Sequence, residues 1–103
     1  MAEIVKVATT DEIPSGSAIT VTAAGEEIAL FNLGGTFCAI GNQCTHSGGP
    51  LCEGDISGEE VTCPWHGAVF NIKTGKAITA PANADVPCFK VIVEGNDIKV
   101  EVP

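Results

Sequence analysis

Two short segments of this 103-residue chain pair cysteine with histidine: Cys44-Thr45-His46 and Cys63-Pro64-Trp65-His66. The chain holds no other histidine. A thiolate beside an imidazole is metal-ligand chemistry. Repeated once, it supplies four donors in two matched pairs. Such a set can hold a [2Fe–2S] centre, one iron on two cysteines and the other on two histidines. It can also hold one structural zinc ion, which accepts the same ligands. Cys44, His46, Cys63 and His66 are therefore the candidate metal and cofactor ligands, and no candidate catalytic residue accompanies them.

The flanking residues favour the cluster. Gly48, Gly49 and Pro50 follow the first pair, Pro64 lies inside the second and Gly67 follows it. Glycine lets a loop turn tightly and brings backbone close to an inorganic group, and proline stiffens such a loop. Zinc fingers usually pair cysteine with cysteine and histidine with histidine along the chain, whereas here each segment gives one of each. That suits two loops clamping a binuclear cluster from both sides. The C-x-x-C dithiol of a thiol redox enzyme is absent from the sequence.

The stretches Cys44-Thr-His-Ser-Gly-Gly-Pro-Leu51 and Cys63-Pro-Trp-His-Gly-Ala-Val-Phe-Asn71 resemble the Rieske iron–sulfur family. In particular they are similar to the small ferredoxins that serve bacterial aromatic ring-hydroxylating dioxygenases. The resemblance implies an all-β Rieske fold, residues 1–103 forming one domain. Its antiparallel base, sandwich-like or barrel-like, would carry a small inserted cluster-binding subdomain at about residues 41–82. Cys44 and Cys63 would hold the buried iron of a single [2Fe–2S] cluster, and His46 and His66 the outer one. The segment Thr79-Ala80-Pro81-Ala82-Asn83 would match the family's proline-containing loop over the cluster.

The ligand set bears on redox potential. Two ferric ions and two sulfides carry two positive charges, which two thiolates cancel while neutral imidazoles add nothing. A four-cysteine site starts two charges lower. Histidine ligation therefore raises the potential, to roughly −150 to +300 mV against about −400 mV for plant-type ferredoxins. The resemblance implies the low end of that window. High-potential members carry an interloop disulfide where this chain has Gly49 and Trp65, and hydroxyl donors where it has Ala68 and Phe70. It also implies a monomeric one-electron carrier rather than an enzyme. Such a carrier takes electrons from an NAD(P)H-dependent flavoprotein reductase and docks transiently near His46 and His66 to reduce a terminal oxygenase. A Rieske subunit of another redox complex, such as an assimilatory nitrite reductase, and a zinc-stabilised binding module are the alternatives.

Composition narrows the rest. Thirteen acidic residues against 5 lysines and no arginine give a net charge of −8. That excludes a basic face for nucleic acid and disfavours anionic membrane surfaces, while permitting steering toward a basic partner. No stretch is long and apolar enough to span a bilayer, and Met1-Ala2-Glu3-Ile4-Val5 does not read as a signal peptide. A cytoplasmic location is expected. Of the 5 cysteines, Cys38, Cys52 and Cys88 remain outside the ligand set. They are expected to pack as small buried hydrophobes without a disulfide.

Short Val-, Ile- and Thr-rich runs between turn residues predict strands throughout. Ile4–Val7 is the first. Ala18–Thr22 should pair with Ile28–Asn32 across Gly25, and Gly34-Gly35 should turn the chain into Thr36–Ile40. Val61–Cys63 and Val69–Ile72 should flank the second ligand pair. A final hairpin, Phe89–Val93 with Ile98–Val102, should turn at Gly95-Asn96-Asp97.

Overall fold

The period-two alternation of apolar residues becomes a run of antiparallel strands in the computed structural model, which describes residues 3–44, 49–65, 67–79 and 84–102. In chain order these are β1 (Glu3–Thr9), β2 (Ala18–Ala23), β3 (Glu26–Leu33), β4 (Thr36–Gly41), β5 (Asp55–Ser57), β6 (Glu60–Thr62), β7 (Val69–Asn71), β8 (Ala77–Thr79), β9 (Cys88–Glu94) and β10 (Asp97–Val102). Single 3-10 turns at Thr10–Glu12 and Leu51–Glu53 are the helical pieces among the described residues. The fold is all-β, as expected.

Six strands form the base, in the order β1-β10-β9-β4-β3-β2. The four short strands β5-β6-β7-β8 form a second sheet, inserted in sequence between β4 and β9. The base thus draws on both ends of the chain. Its halves meet where β4 pairs with β9 through Ala39 opposite Phe89 and Ile40 opposite Cys88.

Two cores result, and β3–β4 is the wall between them. Ile28 and Leu30 point into one core with Ala39, Phe89, Ile98 and Val100. Ala29 and Phe31, on the opposite face of the same strand, point into the other with Ile40, Leu51, Val61, Phe70 and Ile72. Successive side chains of a strand face opposite ways, so a strand buried on both faces must read as a continuous apolar run. Ile28-Ala29-Leu30-Phe31 does so, each residue fully buried. Asn32 continues that run. It is buried but satisfied, its Nδ2 donating to the Ile13 carbonyl at 2.7 Å and its Oδ1 accepting from the Gly35 N–H at 2.8 Å.

The structure departs from the sequence-based expectation in a few places. Strands β5 and β8 had no counterpart in the pattern, being three residues each with Ile56 and Ile78 as their sole large apolar side chains. Cys63 lies one residue past β6 rather than within it, and Ile72 just beyond β7. Asp97 starts β10 instead of ending the turn.

Candidate metal centre

Both cysteines of the ligand pairs sit at the mouths of loops built alike. The first loop leaves β4 through Asn42, a buried residue that secures the departure at three points. Its N–H donates to the Glu27 carbonyl at 3.1 Å, its carbonyl accepts from Leu51 N–H at 2.7 Å, and its Oδ1 accepts from Cys52 N–H at 2.9 Å. Gln43 and Pro50 then form an isolated antiparallel bridge across the base of the loop. Inside it, the Cys44 N–H donates to the Gly49 carbonyl at 2.9 Å. The second loop is closed below by the Thr62–Val69 pair of β6 and β7. Inside that, the Cys63 N–H donates to the Ala68 carbonyl at 2.7 Å. In both loops the donor is the cysteine and the acceptor is the residue five positions on.

The two loops also meet. Cys44 and Cys63 are 3 % and 2 % exposed and belong to one apolar core, with Leu51, Ala68 and Phe70 around them. Gly49 of the first loop lies against the second. A Cβ at this position would stand 2.8 Å from the Cys63 Sγ and 3.1 Å from both Cγ and Cδ2 of Trp65. Only a residue without a Cβ fits so close an approach. The Trp65 N–H points at the Cys63 Sγ from 3.4 Å, a contact suited to a thiolate. Cys44 and Cys63 are thus gathered into one buried place. His46 and His66 lie outside the described residues, within the stretches that the two cysteine-to-carbonyl bonds close. The arrangement fits a sulfur-bridged iron cluster: buried cysteine sulfurs, an amide donor toward the Cys63 sulfur, and backbone pressed close for want of a side chain.

Other expectations resolve individually. Gly49 and Trp65, the positions matched to an interloop disulfide elsewhere, lie side by side here, a Cβ at Gly49 falling 3.1 Å from the ring. Ala68 and Phe70 are fully buried in the same core as Cys44 and Cys63. Of the segment expected to cover the cluster, Thr79 ends β8 and residues 80–83 lie outside the described ones. The expectation that Cys38, Cys52 and Cys88 are all buried needs correction. Cys38 and Cys52 are half-buried, and Cys88, the first residue of β9, is exposed, its thiol donating to the Lys73 carbonyl at 3.1 Å. Cys52 packs against the core that holds Cys44 and Cys63, its Sγ 2.7 Å from Thr20 Oγ1. Burial pushes the Cys38 thiol up, opposed by Lys73 and reinforced by Cys88 and Glu59, and burial also raises Cys88. Asn42 was not singled out by the sequence. A lone asparagine two residues before a cysteine carries no signal of burial or of three backbone ties.

Beyond these loops, an open depression of about 430 Å³ is lined by Leu33, Gly34, Thr36, Ile56, Glu59 and Lys73. Its charged groups are already paired, Lys73 Nζ to Glu59 Oε2 at 3.1 Å, so it offers no acid–base constellation.

Comparison with known proteins agrees with this geometry. Residues 3–90 match the Rieske [2Fe-2S] domain family. The ferredoxin component of a naphthalene 1,2-dioxygenase system from Pseudomonas aeruginosa is 34% identical over 91 residues, 88% of each chain. The 3-phenylpropionate/cinnamic acid dioxygenase ferredoxin subunit of Escherichia coli K12 is 40% identical over 93 residues, 89% of this chain and 87% of that one. Among solved structures, the complex of reduced oxygenase and oxidized ferredoxin in carbazole 1,9a-dioxygenase contains a chain that superposes with a TM-score of 0.87. The match is 30% identical and covers 94% of this chain and 91% of that one.

Proposed function

We propose that this chain, which belongs to the Rieske [2Fe-2S] family, is the one-electron carrier of an aromatic-ring dioxygenase system and not itself an enzyme. It takes electrons from an NAD(P)H-dependent flavoprotein reductase and hands them singly to a terminal oxygenase. The observation that carries the reading is the meeting of two loops, each closed by its own cysteine N–H, at the buried sulfur of Cys63.

In this reading Cys44, His46, Cys63 and His66 are the ligands of one [2Fe–2S] cluster, which supplies reversible one-electron storage when bound. Cys44 and Cys63 provide thiolates from the dry side. The Trp65 N–H stabilises negative charge on the Cys63 sulfur, which grows as an electron arrives. Apolar Ala68 and Phe70 offer no hydroxyl to that charge, which keeps the potential low within the Rieske window. The exposed Trp65 lies in the same loop as His66, at the side where a partner would approach. Relatives named for naphthalene and for phenylpropionate dioxygenases support an oxygenase as electron acceptor. So does the carbazole dioxygenase ferredoxin, which is known bound to its oxygenase.

The test is EPR of the dithionite-reduced protein, with iron and acid-labile sulfide assayed on the same sample. A rhombic signal whose average g lies below that of four-cysteine clusters, with two irons per chain, is expected. Folded protein that carries zinc and no iron would overturn the reading. Turnover by a terminal oxygenase and reductase that depends on added carrier then tests the partner assignment.

A further inference from the structure

Cys63 is 2 % exposed although both residues that follow it, Pro64 and Trp65, face solvent. Its cover comes from the core it shares with Cys44, Leu51, Ala68 and Phe70, and from across the gap between the loops. Gly49 supplies part of it, since its missing Cβ would fall 2.8 Å from the Cys63 Sγ. The indole lies beside the same spot, which stands 3.1 Å from Trp65 Cγ and Cδ2. Gly49 is itself buried, while Trp65 remains 51 % exposed. About half of the residue thus meets water, while Cγ and Cδ2 of its ring face the first loop. Among the described residues of the second loop, Trp65 is the large side chain that reaches the first.

We propose that Trp65, seated on Gly49, is a non-covalent clamp between the two ligand loops that keeps water from the Cys63 sulfur, thereby slowing loss of the cluster and holding its midpoint potential down. The inference rests on the cluster reading given under Proposed function. Trp65 acts here as a positioning residue, through Cys63 and through the spacing of the loops. Removing the ring opens the sulfur to water. Water donates hydrogen bonds to that sulfur, and such bonds favour the reduced, more negative state. The potential then rises. The loops also lose their apolar cross-contact, so they part more often.

The experiment compares wild type with Trp65→Ala, Trp65→Phe and Gly49→Ala, all purified with the cluster loaded. Iron release to a chelator is followed by the visible absorbance of the cluster, and midpoint potentials are measured by titration. Trp65→Ala is expected to release iron about tenfold faster and to titrate at a higher potential than wild type. Trp65→Phe, which restores an aromatic face, should return both readouts most of the way. Gly49→Ala places a methyl 2.8 Å from the Cys63 Sγ and 3.1 Å from the ring, so the two loops must part to admit it, and both readouts should move in the same direction as in Trp65→Ala. It also keeps the test alive should Trp65→Ala fail to fold. Unchanged iron release and potential in either alanine variant would overturn the clamp while leaving the carrier reading intact. A wild-type protein without iron and sulfide would overturn both.

Discussion

At the scale of single residues, the chemistry around the cysteines decides more than their number. Ala68 is fully buried with Cys44 and Cys63, and its carbonyl already holds the Cys63 N–H. A serine here adds a hydroxyl to the core that holds both cysteines. A hydroxyl donated to sulfur favours the reduced state, so Ala68→Ser is expected to raise the midpoint potential in a redox titration. No rise, with a structure showing that bond formed, would refute the account. The remaining thiols give a second expectation. Burial raises the pKa of half-buried Cys38, and partial desolvation of the Cys88 thiol, which is turned to the Lys73 carbonyl, raises that of Cys88 although the residue is exposed; the thiolate is the reactive form. Alkylation of both, followed by mass spectrometry of the native protein, should be slow at neutral pH and accelerate as pH climbs through the raised values. Labelling of exposed Cys88 at the rate of a free cysteine at pH 7 would contradict this. The four candidate ligands were legible in the sequence because few chemistries call for two Cys/His pairs. That Gly49 and Trp65 face each other was implied by the resemblance alone, because residue pattern does not say how two loops meet.

At the scale of elements, the hairpins of the base were legible and the inserted sheet only partly so. Strands β2, β3 and β4 carry long apolar or alternating runs with tight turns between them, so pattern and fold agree. Strands β5 and β8 are too short to show a period, and their pairing is set by neighbours. The inserted sheet shares an apolar core with β3 and β4, but it is also joined to the base by polar, local ties that a hydrophobic pattern does not show. Asn42 is one such joint. Asn42→Ala strands the Cys52 N–H and is expected to cost about 1–3 kcal/mol in urea unfolding, with faster iron loss from the adjoining loop. Gly75 is another. Its φ is +78° and a Cβ would stand 2.2 Å from the Val86 carbonyl, while its own carbonyl accepts the Val86 N–H at 2.9 Å. Both objections apply to any side chain, so Gly75→Ala should destabilise by more than about 2 kcal/mol. Unfolding midpoints matching wild type would show that the β7–β8 turn is not tied to the strand entering β9.

At the scale of the whole molecule, the question is what a net charge of −8 does for a carrier. The body measures 38 × 31 × 17 Å, and at physiological ionic strength charge is screened over about 8 Å. A partner therefore feels the charges near its docking face and not the total. Between Cys44 and Ile72 the sequence holds Glu53, Asp55, Glu59 and Glu60 and no lysine. Glu53 and Asp55 are exposed just past the foot of the first loop, and Glu59 is neutralised by Lys73. Two of the other lysines are also engaged, Lys6 with Asp97 and Lys99 with Glu94, both on the base. The foot of the first loop thus carries two unpaired acids, Glu53 and Asp55, among the described residues. Local acidity steers a basic docking face on the oxygenase, and steering acts on the association rate. The second-order rate of electron transfer to the oxygenase should fall as salt is raised. Glu53→Gln with Asp55→Asn should lower that rate several-fold at low salt and leave it unaltered at about 1 M, where the screening length is about 3 Å. The internal structure and the potential should stay as they are, since both side chains face water. A rate that is flat or rises with salt would mean that the oxygenase presents no basic face here, and that the acidity serves solubility alone.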